Sequence, residues 1–388
     1  MSEPPIGKQA RRFDLLIKIL DQTDPMVRIL LEGIQAQVFP GAVLFVRHQG
    51  YLRVHHAVGL TSGLPDAHPV QLQTIYDLAS LTKPLATASA ILLLVQDGLL
   101  DLSTPIDVVL QETKNFPLGR VILKDVLSHQ SGLPAWRPFY QAFPPALPSD
   151  VPSRHGRARA FLDVILKEPI EAVAHHKSIY SDLGYMVLGF IVERITNQSL
   201  ADFCRSRIFG PLHASPLGYR GPNVAATLDS SIGGCAPTEQ DPWRGRLLQG
   251  EVHDENAFAL GGIAGHAGLF GTAEAIGQIT NVWLEGYKGN PGLLDPHLVK
   301  QFVTAQPGTS WALGWDTPSQ PSSSGQWLSP ESFGHLGFTG TSIWIDPIRD
   351  LEVIFLSNRV HPTRDNQAIK AFRPKLHDAI IQKLSDHG

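Results

Sequence analysis

Three residues of this chain have the types and spacing to move protons around a nucleophile: Ser80, Lys83 and Tyr180. Ser80-Leu81-Thr82-Lys83 stands where a loop enters an Ala- and Leu-rich stretch that runs to Gly98 and is apolar nearly all round, as a helix inside a protein is. On a helix, residues i and i+3 share a face, so the Lys83 amine reaches the Ser80 hydroxyl. Burial disfavours an ammonium and lowers a lysine pKa, which would let Lys83 take the serine proton at neutral pH. The helix N-terminus, with Pro84 in its first turn, adds backbone N–H groups and a positive dipole end where charge develops on an attacked carbonyl. Alone, the same four residues also describe a helix cap and a surface lysine. Tyr180-Ser181-Asp182 precedes the apolar stretch LGYMVLGFIVERI. A phenol beside a lysine shuttles protons, whereas a lone tyrosine here would be a core residue with a satisfied hydroxyl. His335-Leu336-Gly337-Phe338-Thr339-Gly340-Thr341-Ser342 comes directly before a strand pattern, where glycines permit close approach of a substrate or mark nothing more than a turn.

The elements that must position these residues come from both ends of the chain. Residues 13–36 repeat apolar positions at helical spacing, with Asp24-Pro25 closing one helix and opening the next. AVLFVRHQGYLRVHHAVG then reads as a β-hairpin around His48-Gln49-Gly50. From about 100 to 260 the pattern is helical fragments between loops rich in Pro and Gly, such as RPFYQAFPPALPSDVPS and GYRGPNVAATLDSSIGG. Strand patterns resume at SIWIDP and LEVIFLSN, with Ile348-Arg349-Asp350 as the turn, before an amphipathic helix over roughly 366–384. The expectation is an α/β (α+β) chain in which an antiparallel sheet, flanked by terminal helices, receives a mostly helical insertion. We expect a sheet lobe over about 1–78 and 265–388, a helical lobe over about 79–264, and the reactive residues at the seam.

Composition excludes other classes. A chain of 388 residues that is 43% hydrophobic has material for a large core, and a formal charge of −4 gives no electrostatic reason to expect nucleic acid or an anionic membrane as partner. Cys204 and Cys235 have no metal-ligand spacing and read as two buried thiols. The N-terminus carries charges where a signal peptide needs an apolar core, and the longest aliphatic run, Ile91 to Val95, is far short of a bilayer span, so a cytoplasmic address is expected. His253, Asp254 and His266 lack a compact metal-binding spacing, and no Gly-x-Ser-x-Gly occurs, so neither a metal hydrolase nor a nucleophile-elbow hydrolase is indicated.

Taken in order, Ser-x-x-Lys, a tyrosine motif and a glycine-rich strand entry are the three signatures of the β-lactamase and penicillin-binding-protein superfamily. The chain resembles the class C β-lactamase-like serine hydrolases, a group of esterases, D-amino-acid peptidases and amide hydrolases. YDLASLTKPLATASAILLLVQDGLLDL, LKDVLSHQSGLP, YSDLGYMVLGFIVE, GEVHDENA, GGIAGHAGLF and GHLGFTGTSIWIDP carry the resemblance over about residues 40–360. The resemblance implies Ser80 as the acylated nucleophile, Lys83 and Tyr180 as general bases and acids, and His335 in the place of the third-motif lysine. It implies an oxyanion hole from the backbone N–H groups of Ser80 and Phe338, cleft positions for His253, Asp254 and His266, and no cofactor or metal. His129 is expected to brace a loop, and Trp136 and Trp243 to pack or to wall the substrate site.

Two departures bear on substrate binding at Asp182, Leu336 and Gly337. His335-Leu336-Gly337 stands where penicillin-recognising enzymes have Lys-Thr-Gly, so the fixed cation and the hydroxyl that hold a substrate carboxylate are both altered. Asp182 stands where those enzymes keep Asn, and a carboxylate cannot donate to an acylamide carbonyl. Paired with Lys83, Asp182 would raise the lysine pKa against the effect of burial. The expected activity is therefore carboxylesterase-like, on a small-molecule ester or amide through an acyl-Ser80 intermediate. A β-lactamase or D-amino-acid peptidase is the alternative, and a catalytically silent scaffold is the rival from another class.

Overall fold

The computed structural model describes residues 24–143, 154–172, 177–220 and 234–385. The first half of the expected N-terminal helical pair lies outside the described residues, as do most of the two Pro- and Gly-rich loops. Its second half is the helix Pro25–Gln35, which Asp24 caps by accepting from Met26 N–H while Pro25 fills the first turn.

β1 (Gly41–His48) and β2 (Tyr51–Gly59) form the expected hairpin. Gln49 and Gly50 both take positive φ, 53° and 75°, as the two-residue turn that matches strand twist requires. Short strands follow: β3 (Tyr76–Asp77), β4 (Gly218–Tyr219), the pair β5 (Gln240–Asp241) and β6 (Arg246–Leu247), and β7 (Leu269–Gly271). The late strands are β8 (Phe333–Leu336), β9 (Ser342–Asp346) and β10 (Leu351–Ser357). Pairing is antiparallel in the order β2-β1-β10-β9-β8, so the sheet joins the two ends of the chain.

The alternation of side chains decides what covers each face of this sheet. Ala42, Leu44 and Val46 of β1, with Leu351, Val353 and Phe355 of β10, pack with Pro25–Gln35 and the C-terminal helix Ile369–Ser385. Val43 and Phe45, with Ile354 and Leu356, face the larger core that includes Ile276, Ile279 and Trp283 of the helix Ala273–Lys288. Both faces are covered, which is why β10 reads as a continuous apolar run rather than an alternating one.

Between the sheet-forming ends lies mostly helix, with β4, β5 and β6 as small additions that two-residue pairings could not announce in sequence. The centre of the larger core is a continuous helix from Ala79 to Gln96, tight at Ala79–Leu81, wide at Lys83–Ala88 and regular at Ser89–Gln96. By length and composition it could cross a bilayer, yet 83% of it is buried within the fold. Leu85, Leu92 and Leu93 are among its buried residues, each worth roughly 2 kcal/mol of transfer free energy. A core helix with this much invested burial holds the residues at its N-terminus rigidly. The helix Asp182–Thr196 packs against it, capped by Ser181 at one end and by Asn197 in the left-handed region at the other.

Candidate active site

Ser80 sits at the first turn of the core helix, directly after β3. The chain makes the corner through Ala79, whose φ of 47° is a left-handed conformation that costs a non-glycine residue about 1–2 kcal/mol. Asp77 offsets this strain: one carboxylate oxygen accepts from Ala79 N–H at 2.8 Å and the other from His253 N–H at 2.7 Å. The nucleophile is thus fixed by a buried carboxylate that also ties in the segment GEVHDENA.

Lys83 is fully buried, and its ammonium donates to Ser80 Oγ at 2.9 Å, to Asp182 Oδ1 at 2.6 Å and to His266 O at 3.3 Å. It also lies 4.7 Å from the centre of the Tyr180 ring. Burial pulls the Lys83 pKa down, but the Asp182 carboxylate and then Tyr180 outweigh it and hold the pKa above the ordinary lysine value. The expectation of an amine made neutral by burial is therefore corrected: Asp182 keeps Lys83 protonated in the resting site. The Tyr180 phenol is raised by burial, with Lys83 opposing, so it rests in the neutral form.

Tyr180 is held by its neighbours. Its ring lies 4.5 Å from that of His129 and 5.1 Å from that of Trp311. His129 Nδ1 accepts from Ser181 N–H at 3.0 Å, and His129 O accepts from Ile179 N–H at 2.8 Å, so this histidine braces the tyrosine segment directly.

The third segment closes over the first. Thr339 Oγ1 donates to Asp77 O at 2.7 Å and Thr341 Oγ1 to Leu78 O at 3.2 Å, which fixes the turn Gly337–Thr341 beside the Ser80 corner. A Cβ on Gly337 would collide with Thr341 Oγ1 and Leu78 O, so close backbone approach is what this glycine supplies. His335 differs from expectation. It is 2% exposed, donates from Nδ1 to Leu336 O at 2.9 Å, and is pushed down to about 3 by burial and then by Lys83. It is a neutral imidazole at working pH, stands behind Tyr180 at 6.0 Å between ring centres, and cannot serve as a substrate-binding cation.

A cavity of about 370 Å³ opens above Ser80, lined by residues that include Trp136, Tyr180, Asp182, Asp254, His266, Phe338 and Arg364. His253 and His266 do line it, each tied to a carboxylate: His253 Nε2 to Glu239 at 2.8 Å and His266 Nε2 to Asp254 at 2.8 Å. Trp243 stands one layer back, 4.7 Å from the Tyr140 ring. His335, Leu336 and Gly337 do not line the cavity.

The family model described as Beta-lactamase matches residues 26–376. This chain belongs to the β-lactamase family. A relative from Salmonella agona described as "Putative D-alanyl-D-alanine carboxypeptidase" is 34% identical over 323 residues, 76% of this chain and 72% of the relative. Among solved structures, the fold is shared with EstCE1, "a hydrolase with promiscuous acyltransferase activity", at a TM-score of 0.71 and 18% identity over 92% of this chain and 97% of that one. It is shared equally with a class C β-lactamase from Rhodobacter sphaeroides, at a TM-score of 0.68 and 18% identity over 92% and 99%. At such identities these likenesses show the β-lactamase-like fold, a mixture of helices and antiparallel sheet, and not a substrate. The family membership makes the chain a serine hydrolase of the β-lactamase type.

Sequence reasoning missed several residues that build the site. Trp311 walls Tyr180, Arg364 bridges Glu239 and Glu255 at the cavity rim, and Arg359 and Arg373 grip the Gly337–Thr341 turn. For Arg373 a signal existed: it interrupts the apolar stripe Ile369, Phe372, Leu376, Ile380 of the last helix, a position that buries whatever it carries.

Proposed function

We propose that the protein is a carboxylesterase-like serine hydrolase that cleaves small esters or amides lacking a carboxylate next to the scissile bond. Ser80 Oγ attacks the carbonyl, and its proton passes to Lys83 as Lys83 hands one to Asp182. Both hydrogen bonds of that relay are in place, at 2.9 and 2.6 Å. The oxyanion is received by the N–H groups of Ser80 and Phe338, the leaving group takes a proton from Tyr180, and water releases the acid from acyl-Ser80 through the same groups.

The observation that carries the preference for uncharged substrates is the absence of an uncommitted cation in the cavity among the described residues. Arg364, the arginine that lines it, is held by Glu239 at 2.6 Å and Glu255 at 2.8 Å. His335 is neutral and Leu336 cannot hydrogen-bond. At the mouth, Trp136 and Phe338 are 38% and 48% exposed and offer apolar surface to an acyl or alcohol group. A second reading, a D-alanyl-D-alanine carboxypeptidase, is favoured by the description of the 34% identical relative.

Hydrolysis of p-nitrophenyl acetate and butyrate, compared with nitrocefin and with D-alanine release from a D-alanyl-D-alanine peptide, tests the reading. Ester cleavage that dominates and falls by about 10⁴ or more in Ser80→Ala supports it. D-alanine release faster than ester cleavage would replace it with the second reading. Failure of a fluorophosphonate to label the wild type at Ser80 would leave a silent scaffold.

A further inference from the structure

The C-terminal helix Ile369–Ser385 packs beneath the sheet, with Phe372 against Phe355 at 5.7 Å between ring centres. In its buried stripe sits Arg373, 5% exposed. Its Nη2 donates to Gly337 O at 2.9 Å and to Thr341 O at 2.7 Å, and among the described residues no carboxylate pairs with it. Burial and then Arg359 pull its pKa down to about 9, which leaves it cationic at neutral pH. A buried guanidinium without a counter-ion costs several kcal/mol, far more than bonds to two carbonyls need to cost. A neutral donor could hold those carbonyls, so the charge itself calls for a role.

The place where that charge is applied suggests one. The carbonyl of Gly337 and the N–H of Phe338 belong to one planar trans peptide and point in opposite directions. Arg373 therefore grips the end of the Gly337–Phe338 amide opposite the N–H that the proposed function assigns to the oxyanion. Gly340 N–H donates to the same carbonyl at 3.2 Å. On the next peptide, Arg359 Nε donates to Phe338 O at 2.8 Å while its guanidinium covers the Phe338 ring at 4.4 Å. Hydrogen bonds in series polarise one another, so a cation on the carbonyl makes the N–H at the other end a stronger donor.

We propose that Arg373 is a positioning residue for acyl transfer: its guanidinium orients and polarises the Gly337–Phe338 peptide so that Phe338 N–H meets the oxyanion formed when Ser80 is acylated. The proposal rests on the reading of Phe338 N–H as an oxyanion donor. It places an essential charge on a helix that takes no other part in the chemistry, and predicts an effect on turnover rather than on substrate affinity.

The test compares Arg373→Met, Arg373→Gln and Arg373→Lys with the wild type and Phe338→Pro, reading kcat and KM on p-nitrophenyl acetate and the thermal midpoint. Removing a whole oxyanion donor costs about 10²–10³ in kcat, so losing its support in the Met and Gln variants is expected to cost about 10- to 50-fold with KM little changed. The Lys variant, which keeps the charge, is expected to recover most of that loss. Wild-type kcat in Met and Gln, with Phe338→Pro impaired, overturns the proposal and leaves the donor in place. Wild-type kcat in a folded Phe338→Pro overturns the donor reading and the proposal with it. A loss shared equally by Met, Gln and Lys, tracking the fall in thermal midpoint, overturns it in favour of packing.

Discussion

The wall of the cleft that carries Lys83, Tyr180 and Asp182 is charged and tightly bonded, whereas the strand beside it, β8, ends in a neutral histidine and a leucine. On the first wall every group needed to move a proton lies within hydrogen-bond or ring-contact range of the next: Ser80 Oγ, Lys83 Nζ, Asp182 Oδ1 and the Tyr180 ring. On the second, the position where penicillin-recognising relatives place a cation holds an imidazole that burial keeps uncharged. The contrast separates two demands that one site must meet. Acyl transfer depends on groups that trade protons over short distances, and substrate choice depends on charges that face the open cavity. The first set is complete here, and the second has been rebuilt around Trp136, Phe338 and an arginine already neutralised by Glu239 and Glu255.

The comparison breaks most sharply at Lys83. Lys83→Met keeps the side-chain volume and removes the ammonium that donates to both Ser80 and Asp182, so kcat is expected to fall about 10³-fold, within the range of general acid–base contributions. Phosphonate labelling should slow in parallel with ester hydrolysis. A variant that retains more than a tenth of wild-type kcat would move the base to Tyr180. The variant also leaves the Asp182 carboxylate, 18% exposed, without its ion pair, so the thermal midpoint should drop as well.

Asp182 sharpens the comparison further. In the wild type Asp182 accepts from the Lys83 ammonium and can take its proton as Lys83 takes the one from Ser80, so Lys83 acts from its protonated form. In Asp182→Asn the strongest cause that holds Lys83 above its ordinary value is gone, and burial lowers the amine's pKa unopposed by that charge. Lys83 must then lose its proton before it can act. The acid limb of kcat/KM should move up into the range of a lowered lysine, and activity at pH 7 should drop about 10- to 100-fold. An acid limb that does not move between the wild type and Asp182→Asn would show that Asp182 is not the proton sink.

How much of this was legible in the sequence follows from the range of the interactions. The two hairpins of the sheet were written in local patterns: β-branched and aromatic runs around Gln49-Gly50 and around Ile348-Arg349-Asp350, where Asp350 has a φ of 53°, whereas β8 carried no such signal. The Ser80–Lys83 contact was legible because i and i+3 on one helix cannot avoid each other. The ion pair of Lys83 with Asp182, 99 positions apart, could be named as an option but not decided, since its strength depends on how much water is excluded. The neutrality of His335 was not legible, because nothing local says that its ring is enclosed by Trp311, Tyr180 and the neighbouring Lys83. Ala79 in the left-handed region gave no sign either: alanine has no preference for it, and the Asp77 carboxylate that accepts its N–H is a contact made only in the folded chain. Arg359 and Arg373 act on backbone carbonyls, which a sequence never displays.

The smallest expected effect concerns the second wall alone. Leu336 is partly exposed at the end of β8 but does not line the cavity, and Leu336→Thr places a hydroxyl there. A neutral hydrogen bond nets about 1 kcal/mol, so a hydroxyl that met a bound carboxylate would raise kcat/KM about 5-fold; from outside the cavity it is expected to change kcat/KM for a D-alanyl-D-alanine peptide by less than about 2-fold. Hydrolysis of p-nitrophenyl acetate should be unchanged as well. A matching loss on both substrates would mean that Leu336 supports the Gly337–Thr341 turn by packing. A gain of about 5-fold confined to the peptide would show that a bound carboxylate reaches β8, and the proposed preference for uncharged esters would then rest in part on Leu336 rather than on Arg364 and its two carboxylates alone.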